Sequence, residues 1–352
     1  MKADRFSPRG EYCDVRLLSG GAAAYDAGMT RRDRTLSDLG EGALIERITR
    51  RAGREIGRDW ALGIGDDAAI LSTRRGEELV FSTDAQVEGV HFRFGRETPR
   101  TIGRRALAVN LSDLAAMGAR PVGALMSLSA PSDASVSVFD GVIAGFVDEA
   151  RRFDCPLVGG NLSSAGEWSL DVTVIGRCRK GGALRRRGLG PGDGLYVTGM
   201  LGAAALARLR ADRAGTRLTR VPTPRLEAGQ ALVGLPGTRG CIDLSDGLAT
   251  DLDHLLAADG WGADIDPASL PRARGFDRGC RDLGLDPLGV IAGGGEDYEL
   301  LFAFRSDRNR ETAATLSARL GVPVRQIGRI TVEKGVRGLP ATDPGHHFAP
   351  QA

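Results

Sequence analysis

Residues 240–256 read Gly-Cys-Ile-Asp-Leu-Ser-Asp-Gly-Leu-Ala-Thr-Asp-Leu-Asp-His-Leu-Leu, which sets Asp243, Ser245 and Asp246 where an apolar strand turns into a helix. Carboxylates crowded at such a junction repel one another and lose hydration, so they need hydrogen-bond donors or cations. The same arrangement returns at Gly65-Asp66-Asp67, Ser82-Thr83-Asp84, Asn110 with Asp113, and Gly295-Glu296-Asp297. Acids spread along a chain, yet set in glycine-rich or apolar surroundings, point to one folded site holding several hard cations. Magnesium with a polyphosphate is the commonest cargo of such a site.

Each piece has a plainer reading beside the chemical one. Gly63-Ile-Gly-Asp-Asp-Ala68 formally matches a dinucleotide fingerprint, but Asp66 and Asp67 would sit where a pyrophosphate must approach bare backbone N–H groups. A metal-bridged phosphate removes that objection; a tight acidic turn is the alternative. Ser82-Thr83-Asp84 suits a hard cation at a strand end, or simply caps it. Asn110 and Asp113 lie three apart on one helix, so they share a face with apolar neighbours. Asp113 then needs either a cation or backbone donors. His91 is a substrate contact or a packed imidazole. Val158-Gly-Gly-Asn161 lets backbone approach a phosphate, or makes a turn. Arg185-Arg186-Arg187 clamps phosphate or forms a solvated face. Gly293-Gly-Gly-Glu-Asp-Tyr-Glu reads as a ligand-facing loop leading into a strand.

Elements must carry these groups to one place. A helix is predicted over 38–53 and a longer one from Thr98-Pro99 to Met117, closed by Gly118. Strands are predicted at 68–72, 79–83, 122–129 and 156–158, with 169–179 an edge or half-buried strand. Another helix covers 135–152. Residues 180–193, rich in Gly and Arg, read as a linker. Beyond it come a strand at 194–198, helices at 202–213 and after Thr223-Pro224, a helix to about residue 258, a loop-rich region, a strand at 298–304, a helix at 306–320 and a strand at 323–330. Strands and helices mix in both halves, which predicts an α/β (α+β) protein of two layered domains rather than one doubly wound sheet. Three segments follow: a loose extension (1–34), an N-terminal domain (35–180) and a C-terminal α/β domain (181–348).

Bulk properties narrow the class. The chain of 352 residues carries a formal net charge of +2, which makes no electrostatic case for nucleic acid or a membrane surface. Five widely spaced cysteines with no C-x-x-C pair fit reduced thiols in a cytoplasm. No apolar run has the length of a membrane span. No Lys precedes Ser or Thr, so no P-loop is present, and H-R-D and D-F-G are absent too.

In order along the chain come Gly65-Asp-Asp-Ala-Ala, Ser82-Thr-Asp-Ala-Gln-Val-Glu-Gly-Val-His-Phe92, Val109-Asn-Leu-Ser-Asp-Leu-Ala-Ala-Met-Gly-Ala119, Val158-Gly-Gly-Asn161, Ile242-Asp-Leu-Ser-Asp-Gly-Leu and Gly294-Gly-Glu-Asp-Tyr-Glu-Leu. This combination closely resembles the thiamine-monophosphate kinase family from about Leu36 to Phe348. That family shares a superfamily with aminoimidazole ribonucleotide synthetase, selenophosphate synthetase and a hydrogenase-maturation dehydratase. The resemblance implies two α/β domains, a homodimer whose N-terminal domains pair into an intersubunit β-barrel, and conversion of ATP and thiamine phosphate into ADP and thiamine diphosphate, the last step of thiamine diphosphate biosynthesis. It implies Asp67, Ser82, Thr83, Asp84, Asp113 and Asp243 as ligands of several Mg²⁺ ions, with Asn161 and Asp246 as further ion ligands. It also implies Gly160, Asn161, Arg186 and Ser245 as ATP contacts, and His91, Glu296 and Phe348 on the substrate side. The other enzyme branches of the superfamily, and a non-catalytic nucleotide- or cation-binding module, are the rival readings.

Overall fold

Eighteen residues from Pro99 onward fix the architecture. The Thr98 hydroxyl accepts from the Thr101 N–H and Pro99 occupies the first turn, so α3 (Pro99–Ala116) starts where its sequence predicts. Its apolar residues run round the whole cylinder rather than down one stripe, which marks a helix covered on every side. In the computed structural model, which describes residues 34–39, 41–53, 59–62, 64, 70–305 and 312–341, α3 is that covered helix. It packs on a four-stranded sheet, on two other helices and against the end of a strand from a second sheet.

Before it come α1 (Leu36–Leu39), α2 (Glu41–Ala52), the short antiparallel pair β1 (Trp60–Leu62) and β2 (Ile70–Leu71), and β3 (Glu77–Val87). After it come β4 (Arg120–Ala130), α4 (Val136–Arg152), β5 (Leu157–Ser164) and β6 (Ser169–Arg179). The four-stranded sheet runs β3-β6-β4-β5, with β4 and β5 parallel and the other pairs antiparallel. β6 is therefore interior to the sheet, which sets aside the edge placement, and its Ser169–Val174 stretch alternates buried with more exposed residues as the half-buried alternative expects. α3 and α4 approach closely because glycines face the contact: a Cβ on Gly103 would lie 1.9 Å from the Val142 carbonyl oxygen, and one on Gly145 would lie 2.0 Å from that of Arg100.

The second half adds β7 (Gly194–Thr198), α5 (Ala203–Ala214), α6 (Leu226–Val233), β8 (Thr238–Asp243), α7 (Leu248–Ala257), β9 (Gly262–Ile265), α8 (Phe276–Asp282), α9 (Pro287–Gly293), β10 (Leu300–Phe304), α10 (Ala313–Leu320), β11 (Val324–Thr331) and β12 (Gly335–Arg337). Its six-stranded sheet runs β12-β9-β11-β7-β10-β8, antiparallel except for β12 with β9. Alternation sends Leu195, Val197, Leu301 and Ala303 to one face, against the apolar sides of α5, α7, α8 and α9. Tyr196 and Phe302, stacked at 5.6 Å, belong to the other face, whose core continues through α6 and α10 into that around α3. The fold is thus mixed α/β with two principal sheets, and no helix among the described residues is long and apolar enough to cross a membrane.

The segment 180–193 is more firmly held than a linker. Leu184 and Leu189 are buried, the Asp259 carboxylate accepts from the N–H groups of Gly188 and Leu189, and Trp261 donates to the Leu189 carbonyl. The loop-rich region after α7 holds β9, α8 and α9, short elements whose periodicity is too brief to read.

Candidate active site

Strand alternation on β3 decides which side chains meet α3. Val80, Ser82, Asp84 and Gln86 face the helix, and the Ser82 hydroxyl donates to Asp113 Oδ2 at 2.6 Å. Thr83 faces the opposite way: its hydroxyl donates to the Val172 carbonyl and accepts from Thr173 across the strand pair. The expected trio of ligand side chains is therefore split, with Ser82 and Asp84 on the side of Asp113 and the Thr83 hydroxyl on the other.

Asp243 ends β8, an edge strand, and is 4% exposed. The Ser112 hydroxyl, one residue before Asp113 on α3, donates to Asp243 Oδ2 at 2.7 Å. Burial and then the neighbouring charge of Asp113 push the Asp243 carboxyl up to about 6, against the Ser112 hydroxyl, the charge of Arg186 and its own backbone N–H. Asp113 is raised as well, by burial first, with Asp84 adding and the Ser82 bond opposing. In the first turn of α7, Asp251 accepts from the N–H groups of Asp246 and Gly247, and burial followed by the charges of Asp246 and Asp243 raises it to about 7. Asp84, Asp113, Asp243, Asp246 and Asp251 thus form one electrostatic group drawn from four elements, and exposed Arg186 is the nearby cation acting on both Asp113 and Asp243. Crowded carboxylates and hydroxyls, starved of positive charge, are the donor set a hard oxygen-seeking dication fits.

Two loops close the site. Leu244 N–H donates to Glu299 O, Glu296 N–H to Ser245 O, and Tyr298 N–H to Leu244 O, all at 2.8 Å. The fit is tight enough that a Cβ on Gly295, at φ +64°, would lie 2.7 Å from the Ser245 carbonyl oxygen. Glu296 and Tyr298 take positive φ (63° and 52°), a strained choice for residues with side chains and one often found at functional sites. The acids of this loop divide by task. Asp297 accepts from the N–H groups of Gly202 and Ala204 at the start of α5. Glu299 accepts from the Thr198 hydroxyl and from Arg225 through Nε and Nη2. Glu296 instead pairs with buried Arg105 of α3 and borders a cleft lined by Arg105, Arg220, Leu218, Pro222 and Tyr298. On the turn after β3, His91 Nδ1 accepts from the Val87 N–H at 3.1 Å.

Several expected residues stand apart. Gly160 and Asn161 lie in β5, not in a turn, at the opposite edge of the four-stranded sheet from β3. Asn161 pairs with Ser127 and shares its face with Ser163, whose hydroxyl bonds that of Ser129 on the side away from α3. Asn110 points into the core, donating to the Ala106 carbonyl, and does not join Asp113. Asp67, Phe348 and the extension at 1–33 lie outside the described residues. Sequence reasoning passed over Ser112, Asp251 and Arg105; Asp251 was visible as the acid five residues after Asp246, whereas Ser112 and Arg105 carry no signal short of the fold.

Residues 65–178 match the family described as AIR synthase related protein, N-terminal domain, and residues 190–339 match its C-terminal domain. The thiamine-monophosphate kinase of Escherichia coli K12 is 39% identical over 312 residues, covering 85% of this chain and 92% of that protein. The crystal structure of the thiamine-monophosphate kinase from Stenotrophomonas maltophilia superposes with a TM-score of 0.72 at 38% identity, covering 85% of this chain and 96% of that one. AaThiL complexed with AMPPCP and TMP superposes with a TM-score of 0.66 at 27% identity, covering 87% of this chain and 95% of that one. With acids of the shared motifs gathered into one electrostatic group and likeness running through both halves, the chain belongs to the thiamine-monophosphate kinase family.

Proposed function

We propose that the protein transfers the γ-phosphoryl group of ATP directly to thiamine phosphate, giving thiamine diphosphate and ADP. The observation that carries this reading is the convergence of Asp84, Asp113 and Asp243, with Ser82 and Ser112, where the charges of Asp84 and Asp243 reach Tyr298, a residue that also lines the cleft holding Glu296. The family membership and the AMPPCP- and TMP-bound relative support both substrates.

The acceptor is a phosphate oxygen, already ionised at neutral pH, so no strong general base is required. In an in-line displacement that oxygen forms the new bond to the γ-phosphorus as the bond to the β–γ bridging oxygen breaks and ADP departs. The difficulty is repulsion between two anions. Mg²⁺, when bound, supplies the neutralising charge. Ser82, Asp84, Asp113 and Asp243 would hold such ions, with Asp67 from outside the described residues and Asp246 at the flank. The Thr83 hydroxyl is left out because it faces the far side of β3. Asp251 holds the backbone of Asp246 and Gly247 in place. Arg186 and Ser245 serve the nucleotide phosphates, and Glu296 and His91 the thiamine end, with Phe348 as a further contact there.

The two family matches support reading 35–180 as the nucleotide, magnesium and dimerisation domain and 181–348 as the C-terminal domain. We further propose a homodimer in which the open faces of two four-stranded sheets meet as a barrel. Phe81 lies 61% exposed on that face. The described cysteines (Cys155, Cys178, Cys241 and Cys280) are buried and form no disulfide, in keeping with a reducing cytoplasm.

The test is direct. Protein mixed with ATP, Mg²⁺ and thiamine phosphate is expected to yield thiamine diphosphate, and chelation of Mg²⁺ to stop it. Asp84→Asn should lower turnover by about 100-fold or more with unchanged circular dichroism, the scale expected for removal of a group that holds phosphoryl-transfer charge. Near-normal turnover by this variant at saturating Mg²⁺ would remove Asp84 from the ion set.

A further inference from the structure

Arg105 is the one cation that α3 buries beside the cleft. Its side chain is 8% exposed, and it lies between two acids that belong to different parts of the chain. One is Glu296, an acid of the strained loop, which pairs with Arg105 Nη2. The other is Glu97, whose carboxylate is 3.8 Å from Arg105 Nη1 and also accepts from the Arg93 N–H. Glu97 closes the turn that begins at Val87 and carries His91: Gly89 N–H donates to Phe92 O, and the Arg93 guanidinium donates to Gly89 O. Arg105 therefore ties the His91 turn and the Glu296 loop to a single point on a rigid helix. Burial raises the Glu97 carboxyl, and the charge of Glu296 adds to that, while Arg105 opposes both. Without the guanidinium the two acids would face each other across a poorly hydrated gap, and both loops would lose their common anchor. Arg105 Nε is buried with no hydrogen-bond partner, so the side chain is held by its two acids.

We propose that Arg105 is a positioning residue that sets the acceptor-substrate half of the site, aligning Glu296 and the His91 turn without serving the nucleotide half. This rests on the reading of the protein as a thiamine-phosphate kinase. Asp113 lies eight residues further along the same helix, about 12 Å by the rise of an α-helix, so the two halves of the site share one ruler.

Steady-state kinetics on Arg105→Met, Arg105→Lys and Glu97→Gln test it. Arg105→Met is expected to raise KM for thiamine phosphate at least tenfold while KM for ATP stays within twofold, and adding Glu296→Gln to it should change KM little further. Arg105→Lys should recover most of the loss, because a cation remains between the acids. Glu97→Gln, which keeps shape and loosens the anchor, should raise the same KM about threefold; if Arg105→Met does not fold, Arg105→Lys and Glu97→Gln decide the matter. Unchanged KM for thiamine phosphate in an active enzyme, or an equal rise in both KM values, overturns the positioning role alone. A wild-type protein that makes no thiamine diphosphate overturns both the role and the functional reading beneath it.

Discussion

At the scale of single residues, the site is built from carboxylates that the fold holds at an electrostatic loss. Asp243 shows it best: buried at a strand end beside Asp113, where the Ser112 hydroxyl, Arg186 and a backbone N–H only partly offset the loss of hydration. Its carboxyl binds a proton more tightly in the folded chain, at about 6, than the ordinary 3.8 of an unfolded one. Between those values the folded state holds the proton and the unfolded state does not, so stability falls as pH rises through this window. Asp251, raised to about 7, extends the fall in the same direction. Magnesium-free protein is therefore expected to melt at a lower temperature at pH 7.5 than at pH 5, and millimolar Mg²⁺ should reverse the loss at the higher pH. Asp243→Asn removes the charge and keeps the shape. In Mg²⁺-free buffer at pH 7.5 it should stabilise the protein by roughly 2–3 kcal/mol, the electrostatic strain relieved with the charge, while abolishing turnover. Denaturant titration read beside the activity assay checks both halves; a less stable variant would mean that Asp243 is satisfied by the protein alone.

At the scale of elements, legibility followed how local the deciding physics is. α3 was readable end to end because Thr98, Pro99 and Gly118 are signals within the chain itself, and Gly118 takes φ +64° as a helix-closing glycine does. The gathering of acids was readable too, since each lay in a context that would not tolerate it unaided. The place of β6 inside its sheet was not, because strand neighbours are chosen by distant pairing. The strand placement of Asn161 was hidden for the same reason: Gly-Gly-Asn has turn chemistry, but pairing with β4 draws it into a strand. Ser82 and Thr83 divide because alternation along β3, invisible in a three-residue motif, outweighs their adjacency. Close helix contact was equally hidden, since Gly103 and Gly145 look like weak helix formers until α3 meets α4. Gly145→Ala would place a Cβ 2.0 Å from the Arg100 carbonyl oxygen, so the helices must part. A loss of about 1–3 kcal/mol in urea unfolding is expected, as for other overpacked contacts. A neutral result would mean that α4 slides freely on α3.

At the scale of the whole molecule, the four-stranded sheet raises the question of what covers its second face. The first face packs on α3 and α4; Trp60 covers one end of the second against Val122, Val158 and Ile175, and the rest carries Phe81 at 61% exposure, the Thr83–Thr173 pair, and a polar row of Asp171, Ser127 and Asn161. Within one chain Asn161 stands three strand spacings from β3, about 14 Å, and on the wrong side of the sheet to meet Asp84. If two such faces pair about a twofold axis, Asn161 of one chain is brought towards its partner while Asp84 stays with its own. A nucleotide or ion role for Asn161 then belongs to the dimer. Phe81→Arg would place a charge on that exposed face and, if the faces pair, is expected to give a monomer in sedimentation velocity, with activity reduced and the melting of the chain little changed. Complementation goes further. Asp84→Asn and Asn161→Ala, each inactive alone, should regain up to about a quarter of wild-type activity when unfolded together and refolded, because half of the dimers are mixed and each mixed dimer assembles one intact site. No recovery from a demonstrably mixed dimer would mean that Asn161 acts within its own chain or not at all.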